Sequence, residues 1–519
     1  MKHALMTVLL VAGTLVTAVV NGERMATATQ SCESLASLTL PNATITLAQA
    51  VARGAFTPRI PAGEVVAPPA AAQGFRDLPA FCRVAATLKP SSDSDIKIEV
   101  WLPTENWNRR FQAVGNGAWT GTIAYAAMAD ALRHGYATSS TDTGHVGNTA
   151  AFALGHPEKL IDFAYRSEHE MTVKAKAIVK TFYGGAPKYS YWNGCSAGGR
   201  QALKEAQMFP ADFDGIIAGS PGLDWSGRSA QAVRVAQALQ KEDARLSPAK
   251  QQILHNAVVQ ACDALDGLQD GLIDNPARCA FDPKVLQCQG ADSPGCLTSA
   301  QVATARLIYA TTVNPKTKRE VPGLARGSEL GWTDLGWSVS ARATGLDHYR
   351  FIVFKNPAWD LDRFSAETDV ARIDEGQSAA INATDPNLKP FFDRGGKLLQ
   401  YHGWSDPQIS PVSSVEYYKR VLALFGGARK VEGSYRLFMA PGMAHCGDGE
   451  GPNDFDTVTP LEQWVEKGKA PESIIASHLK DGIVDRTRPL CPYPQVAAYT
   501  GIGSADEATN FICKAPSRK

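Results

Sequence analysis

Apolar and polar residues first alternate regularly near residue 96, where Ile96, Ile98 and Val100 are separated by polar positions. This alternation predicts a strand. Further along the chain, short apolar runs next to glycine or proline predict more elements. The predicted strands are 111–114, 189–192, 215–218, 397–402 and 435–439, and the predicted helices are 200–209 and 415–425. Because strands alternate with helices, we expect an α/β fold with a parallel sheet.

The alternation of strands and helices fades after about residue 225 and returns near residue 397. The intervening residues hold four cysteines, several tryptophans and an acidic, glycine-containing loop. We therefore expect a discontinuous sheet domain, 29–225 and 391–519, interrupted by an inserted domain of 226–390. Within the first part, residues 29–90 carry prolines and alanines between short apolar stretches, and we expect an irregular arm there.

Composition narrows the classes of partner. Hydrophobic residues make up 44% of the 519 residues and charged residues 20%, which is ordinary for a folded globular protein. The 52 basic and 52 acidic residues balance. The sequence has no basic stripe of the kind that binds nucleic acid, so we do not expect a nucleic-acid partner. Since the chain has no net charge, we also do not expect long-range electrostatic attraction to select the substrate.

The N-terminus predicts export. Lys2 and His3 precede an uncharged, mostly apolar stretch at residues 5–20. This pattern is typical of a signal peptide, which we place at 1–28 with cleavage near Ala28. An N-terminal anchor helix is the alternative. No later stretch reaches the roughly 20 apolar residues of a membrane span, so we expect a secreted or periplasmic protein with no membrane partner after cleavage.

Ten cysteines agree with an oxidising compartment, and their even number suggests full pairing. Ten cysteines allow about 945 complete pairings, so their spacing alone does not select one.

Residues 194–198, Gly-Cys-Ser-Ala-Gly, match the G-x-S-x-G pattern between a predicted strand and a predicted helix. A serine nucleophile on a sharp strand-to-helix turn needs small neighbours, which explains the glycines. Ser196 is therefore the candidate nucleophile. The alternative is a glycine-rich turn without chemistry, since a chain with 45 glycines produces such patterns by chance.

The expected chain order of the triad is serine, acid, histidine. His445 follows the predicted strand 435–439 and is the candidate base, whereas His348 lies in the inserted region and His478 on a predicted polar helix. Asp406 follows the predicted strand 397–402 and is the candidate acid, although an aspartate before proline is also common in plain turns. Asp448 is the rival acid, but it follows the histidine.

These positions predict the remaining parts of the site. The oxyanion hole needs two N–H donors, which we assign to Ala197 and to Ala118 in the turn after strand 111–114. One such donor typically contributes about 3 kcal/mol to the transition state. Cys195 and Cys446 flank the serine and the histidine, so a triad would bring them close enough to form a disulfide.

An acidic loop predicts a calcium site. Asp263, Asp266 and Asp270 would repel one another unless solvated or bound to a cation. Backbone carbonyls of Leu268 and Leu272 could complete an oxygen shell, although the spacing differs from an EF-hand. A solvated acidic loop is the alternative.

Five segments share motifs with one known family. They are Gly-Cys-Ser-Ala-Gly-Gly at 194–199, Tyr-His-Gly-Trp-Ser-Asp at 401–406, Gly-Met-Ala-His-Cys at 442–446, Cys-Asp-Ala-Leu-Asp-Gly-Leu-Gln-Asp-Gly at 262–271 and Arg-Pro-Leu-Cys-Pro-Tyr-Pro at 488–494. Together they resemble the tannase and feruloyl esterase family of α/β-hydrolases over nearly all of the chain after the signal peptide. The Cys-Ser, Asp and His-Cys combination is far more specific than G-x-S-x-G.

The resemblance implies an α/β-hydrolase sheet with an inserted lid, a structural Ca²⁺ in that lid and no organic cofactor. It implies small-molecule esters of aromatic acids as substrates, free or attached to plant polysaccharide or polyphenol, with feruloyl esters first and galloyl or terephthalate esters as alternatives. It also implies five disulfides: Cys32–Cys82, Cys195–Cys446, Cys262–Cys279, Cys288–Cys296 and Cys491–Cys513.

The resemblance further implies a substrate pocket formed by Arg342, Leu346, His402 and Ile409. Leu346 and Ile409 stand where terephthalate monoester hydrolases of the family have aromatic residues, and Ala118 stands where the family often has glycine. These departures weaken a terephthalate assignment. A non-catalytic binding protein on the same scaffold is the alternative of another class, but such a chain should lack a triad member, and all three candidates are present here.

Overall fold

A computed structural model of the chain describes residues 28–58, 74–333 and 344–516. The strands of its main sheet are β1 Ala43–Val51, β2 Phe81–Leu88, β3 Ile96–Pro103, β4 Arg110–Val114, β5 Ala137–Thr141, β6 Tyr189–Cys195, β7 Gly215–Gly219, β10 Lys397–Gly403 and β11 Tyr435–Ala440; the shorter pairs are β8 Thr312–Val313 with β9 Glu320–Val321, β12 Ile474–Lys480 with β13 Ile483–Leu490, and β14 Val496–Tyr499 with β15 Phe511–Lys514.

Within the described residues, nine strands form the main sheet in the order β1-β2-β3-β5-β4-β6-β7-β10-β11. Pairing is antiparallel from β1 to β5 and parallel from β5 through to β11. The carboxyl ends of β6, β7, β10 and β11 therefore meet at one edge, where open α/β sheets place their functional loops.

Helices cover both faces of this sheet. The helices of the described residues, including those between β7 and β10, are α1 Tyr125–Arg133, α2 Pro157–Ile161, α3 Ser167–Tyr183, α4 Ala197–Met208, α5 Trp225–Ala238, α6 Pro248–Cys262, α7 Ser299–Tyr309, α8 Lys389–Asp393, α9 Pro411–Phe425, α10 Ala428–Val431 and α11 Val458–Lys467. Short 3-10 turns include Asp263–Asp266 and Glu329–Gly331.

Adjacent residues of the central strands point into two different cores. Trp192 belongs to the core under α3, α4 and α9, whereas Tyr191 belongs to the core under α11. Ile216 and Ile217 of β7 divide in the same way. Side chains alternate along a strand, so a strand that is apolar at every position requires cover on both faces. The three layers follow from that requirement.

The predicted strands and helices of the sheet domain are confirmed. Most extend by one to four residues beyond the prediction, whereas the helix predicted at 200–209 begins at Ala197 and ends at Met208. The predicted irregular arm at 29–90 was wrong, because β1 and β2 lie there and extend the sheet on its antiparallel side. β1 carries Thr44, Ile45 and Thr46, residues with high β-propensity, but it is only partly buried and its apolar pattern is weak. His478 lies on β12 and not on a helix.

The residues between β7 and β10, here called the helical segment (220–396), have hydrophobic cores of their own. The structure contains the five expected disulfides: Cys32–Cys82, Cys195–Cys446, Cys262–Cys279, Cys288–Cys296 and Cys491–Cys513. The expected signal peptide falls outside the described residues except for Ala28, and so does Arg342. Across the described ranges, no helix is both long and apolar enough to cross a membrane.

Candidate active site

Ser196 occupies a strained turn between β6 and α4. Its backbone has φ 62° and ψ −120°, a conformation that non-glycine residues rarely adopt. A Cβ at Gly194 would lie 2.6 Å from the carbonyl oxygen of Gly198, and a Cβ at Gly198 would lie 3.1 Å from the Cα of Gly115. The turn is therefore tight enough to require glycine on both sides of the serine, and it raises the hydroxyl above the sheet.

Three side chains from distant parts of the sequence form one hydrogen-bonded chain. The Nε2 of His445 lies 2.8 Å from the Oγ of Ser196, and its Nδ1 lies 2.7 Å from the Oδ2 of Asp406. His445 lies in the loop after β11, and Asp406 in the turn after β10. With Nδ1 donating to the carboxylate, Nε2 is free to accept the proton of the serine hydroxyl.

Asp406 is fully buried but well paired. Its Oδ1 accepts hydrogen bonds from the backbone N–H groups of Gln408 and Ile409, at 2.8 and 2.9 Å. Burial by itself would raise the pKa of Asp406, but the facing His445 and His402 lower it below its usual range. The carboxyl is therefore ionised over the whole physiological range and can stabilise an imidazolium.

His402, which the family resemblance places in the substrate pocket, has a fully buried ring. Its Nδ1 lies 2.7 Å from Ser414 Oγ, and its Nε2 lies 3.1 Å from Asp406 Oδ2 and 3.2 Å from the carbonyl of Ile409. Both ring nitrogens therefore have partners within the protein, and one of these partners is Asp406. The position of His402 near the end of β10, four residues before Asp406, was the signal for this contact in the sequence.

The loop after β4 lies beside the nucleophile turn. Ala118 is exposed, with φ 39°, and Ala197 is the first residue of α4, where backbone N–H groups have no partner within the helix. Gln201 of α4 joins the two elements: its Oε1 accepts from the N–H of Asn116 at 3.0 Å, and its Nε2 donates to Asn116 Oδ1 at 3.2 Å. Sequence reasoning missed this pair, because nothing near Gln201 in the sequence indicates a contact with a residue 85 positions earlier.

The disulfide between Cys195 and Cys446 lies directly next to Ser196 and His445 in the sequence, with 6.0 Å between its Cα atoms. It joins the turn that carries Ser196 to the loop that carries His445. Small displacements of catalytic groups are costly, so this covalent link restricts the two loops where alignment matters most.

An aromatic cluster packs against the start of α4. Trp119 follows the proposed oxyanion residue directly, and its ring centroid lies 4.8 Å from those of both Trp225 and Phe163. Ala197 belongs to the same buried cluster. All three aromatic side chains are buried, so the cluster packs the loop after β4 against the start of α4.

The other two expected pocket residues lie in different surroundings. Leu346 is buried in the hydrophobic core of the helical segment with Tyr349 and Trp359. Ile409 is buried against the turn after β7, where its Cδ1 would lie 3.4 Å from a Cβ at Gly222. Of the two, Ile409 is the residue in direct contact with the Asp406 carboxylate, through its N–H.

The acidic loop folds back on itself. Asp263 Oδ2 accepts from the N–H of Gly271, and Asp270 Oδ2 lies 2.5 Å from Arg488 of β13. Burial, followed by the charges of Asp270 and Asp263, raises the pKa of Asp266. Both carboxylate oxygens of Asp274 are buried without a hydrogen-bond partner, and burial raises its pKa to about 7. Uncompensated carboxylates of this kind fit a hard cation.

A compact ligand triple lies elsewhere. In the part of the chain that the structure describes, the set of three His, Cys, Asp or Glu ligand atoms within 4.8 Å of one another is Cys288, Asp292 and Cys296. Cys288 and Cys296 form a disulfide, so their sulfurs are not thiolate ligands. This set is not a metal site.

Comparison with known proteins settles the family. The profile of the tannase and feruloyl esterase family matches residues 82–514. The chain belongs to this family. An uncharacterized esterase of Xanthomonas campestris is 37% identical over 94% of this chain and 92% of its own length. Feruloyl esterase B of Aspergillus niger is 34% identical over 83% of this chain and 86% of its own length.

Solved structures agree. The crystal structure of feruloyl esterase B from Aspergillus oryzae superposes with a TM-score of 0.86 at 32% identity, covering 93% of this chain and 99% of that one. Tannin acyl hydrolase from Aspergillus niger has a TM-score of 0.75 at 22% identity and covers 92% of both chains, which shows a shared fold. The protein is thus a carboxylic ester hydrolase with the α/β-hydrolase fold.

Proposed function

We propose that this esterase is a serine hydrolase in which Ser196 is the nucleophile, His445 the general base and Asp406 the residue that orients the imidazole. The observation that carries the proposal is the continuous hydrogen-bonded chain from Asp406 through His445 to the Ser196 hydroxyl. A hydroxyl on a strained turn, an imidazole and an ionised carboxylate at these distances are the parts that acyl transfer requires.

In this mechanism His445 Nε2 takes the proton as Ser196 Oγ attacks the ester carbonyl. The N–H groups of Ala197 and Ala118 stabilise the oxyanion of the tetrahedral intermediate. His445 then protonates the leaving alcohol, which leaves an acyl-serine. Water, deprotonated by His445, attacks this acyl group, and collapse of the second intermediate releases the acid and restores Ser196.

The proposed substrates are esters of aromatic acids, with feruloyl esters first. Support comes from similar proteins that are named feruloyl esterase B. We also propose that residues 226–390 act as a lid. Trp119 donates to the carbonyl of Thr344 at 3.1 Å, which joins this segment to the oxyanion loop.

A panel of three esters tests the substrate class. We expect methyl ferulate to give the highest kcat/KM among methyl ferulate, methyl gallate and a terephthalate monoester, because the similar proteins named above include feruloyl esterase B. Leu346 and Ile409, which stand where terephthalate monoester hydrolases have aromatic residues, weaken only the terephthalate alternative. Initial rates at one pH with a single enzyme batch give the comparison. A higher kcat/KM on methyl gallate would favour a tannase, and hydrolysis of none of the three would overturn the assignment.

We propose further that the protein is exported and that the acidic loop binds a structural Ca²⁺. The loop would hold the ion through the carboxylates of Asp263, Asp266 and Asp270 and the carbonyls of Leu268 and Leu272. The unpartnered carboxylate of Asp274 supports the need for a cation there. When bound, the ion would supply charge neutralisation and no reaction step.

Removal of calcium should therefore destabilise the protein. At a thousandfold excess of Ca²⁺ over its Kd, binding adds about 4 kcal/mol to the free energy of unfolding. We expect dialysis against a chelator to lower Tm by several degrees and added Ca²⁺ to restore it. Asp266→Asn should remove most of this difference, whereas Glu242→Gln, an exposed carboxylate of the same segment, should not. A Tm independent of chelator and Ca²⁺ would exclude the site.

A further inference from the structure

A buried histidine connects the helical segment to the loop that carries His445. His255 lies on α6, and its side chain is 6% exposed. Its Nδ1 lies 2.9 Å from Glu329 Oε2, and its Nε2 lies 2.7 Å from Glu450 Oε2. Glu329 belongs to the helical segment, whereas Glu450 follows β11.

The geometry fixes the charge of this histidine. A carboxylate only accepts hydrogen bonds, so a ring with a carboxylate at each nitrogen must carry a proton on both. Glu329 is fully buried, and it also accepts from Tyr309 Oη at 2.6 Å and from the N–H of Gly327 at 2.8 Å. These bonds hold the Glu329 carboxylate in place. One imidazolium thus lies between two carboxylates from different parts of the fold.

Glu450 closes the base of the loop at 441–451, here called the histidine loop. Its N–H donates to the carbonyl of Gly442 at 3.0 Å, and within the loop the N–H of Ala444 donates to the carbonyl of Asp448 at 3.0 Å. His445 lies at the far end of this loop. A change in the position of Glu450 should therefore displace this short, internally hydrogen-bonded segment and with it the imidazole of His445.

We propose that His255 is a positioning residue, which acts through Glu450 to hold the histidine loop against the helical segment so that His445 stays aligned with Ser196. This inference rests on the proposed function, and it adds a contact that lies outside the triad and its disulfide. The disulfide fixes the loop at Cys446, whereas the ion pair fixes it at its base. Together they restrain the histidine loop directly beside His445 and at its base.

The contact should depend on pH. Burial would lower the pKa of His255, but Glu329 and Glu450 outweigh it and raise the pKa to about 9. Among the described contacts, Glu329 also accepts a hydrogen bond from Tyr309, and the guanidinium of Arg326 lies 4.7 Å from the centroid of the Tyr309 ring. Because the pKa of His255 is raised in the folded protein, the stabilisation from its two ion pairs is fully present below the unfolded pKa of about 6.5. It is lost as pH rises through the folded pKa of about 9.

Kinetics of His255→Gln, Glu450→Gln and the double variant test the proposal. At pH 7.5 we expect each single variant to lower kcat about tenfold with KM within about twofold, since misalignment acts on the chemical step. The double variant should lose no more than either single one. The wild type should lose kcat between pH 8 and 10, and His255→Gln should not show this loss. His156→Gln, which breaks an exposed pair with Asp93, is the matched control.

Melting temperatures of the same proteins test the contact without reference to turnover. At pH 7 the Tm losses of the two single variants should sum to more than the loss of the double variant, and at pH 10 this coupling should vanish. Additive losses at both pH values would overturn the contact, and a wild-type kcat and pH profile in His255→Gln would overturn its positioning role. A wild type inactive on every ester would overturn the proposed function, while the melting data would still decide on the contact.

Discussion

Replacement of Ser196 by alanine should lower kcat on methyl ferulate by roughly a millionfold, because the nucleophile of acyl transfer is lost and no neighbouring hydroxyl replaces it. A residual rate above that in water should persist from the oxyanion donors. The fold should be retained. The side chain of Ser196 makes its hydrogen bond to His445 alone among the described contacts, so alanine leaves no buried group unpaired. Initial rates at micromolar enzyme, with circular dichroism of both proteins, measure the effect.

A matched control is available in the same sheet. Ser139 of β5 is fully buried, and its hydroxyl has no hydrogen-bond partner. Ser139→Ala should therefore keep wild-type kcat and KM. Turnover by Ser196→Ala within tenfold of the wild type would remove the proposed nucleophile, and equal losses in the two variants would point to a general effect on folding.

Asp406→Asn should lower kcat about ten-thousandfold, because the asparagine favours the tautomer of His445 that cannot accept the serine proton. The carboxylate accepts from two backbone N–H groups on Oδ1 and from two imidazoles on Oδ2. An asparagine has one oxygen, which the backbone groups will engage. Its NH₂ group then faces His445 Nδ1, so Nδ1 must accept and Nε2 must carry the proton towards Ser196. In that tautomer the ring does not accept the serine proton.

Asp448→Asn is the control for this substitution. Asp448 lies in the histidine loop with φ 56°, a conformation that asparagine tolerates, and it was the rival acid in the sequence. We expect kcat within about twofold of the wild type. If Asp448→Asn instead loses activity and Asp406→Asn does not, the acid has been misassigned. Crystal structures of both variants would show whether the position of the His445 ring has changed.

Several elements were predictable because their signals are local. Central parallel strands such as β6 and β7 are buried on both faces, so their apolar runs stand out from the glycines and polar residues around them. The strained serine turn needs small residues at fixed spacing, which makes residues 194–198 recognisable. The positions of Asp406 and His445 follow from the strands before them.

Other features had no comparable local signal. β1 is an edge strand with a partly exposed face, and its stability comes from pairing with β2, not from its own pattern. In the sequence, His402 resembles any buried strand residue. Only the folded turn after β10 places Asp406 beside its ring. His255 contacts Glu329 and Glu450, which follow it in the chain by 74 and 195 positions. No periodicity can be detected at such separations.

The sequence by itself determined the α/β class, the serine turn and the order of the candidate triad, because backbone strain, strand burial and turn geometry depend on residues that are neighbours in the chain. Only the tertiary structure decided which side chains support that triad. The partners of Asp406 and His255 are chosen by proximity in space, and a buried charge depends on whatever the fold brings within hydrogen-bonding distance. The electrostatic surroundings of a buried side chain therefore depend on residues from several parts of the fold and not on any one segment of the sequence.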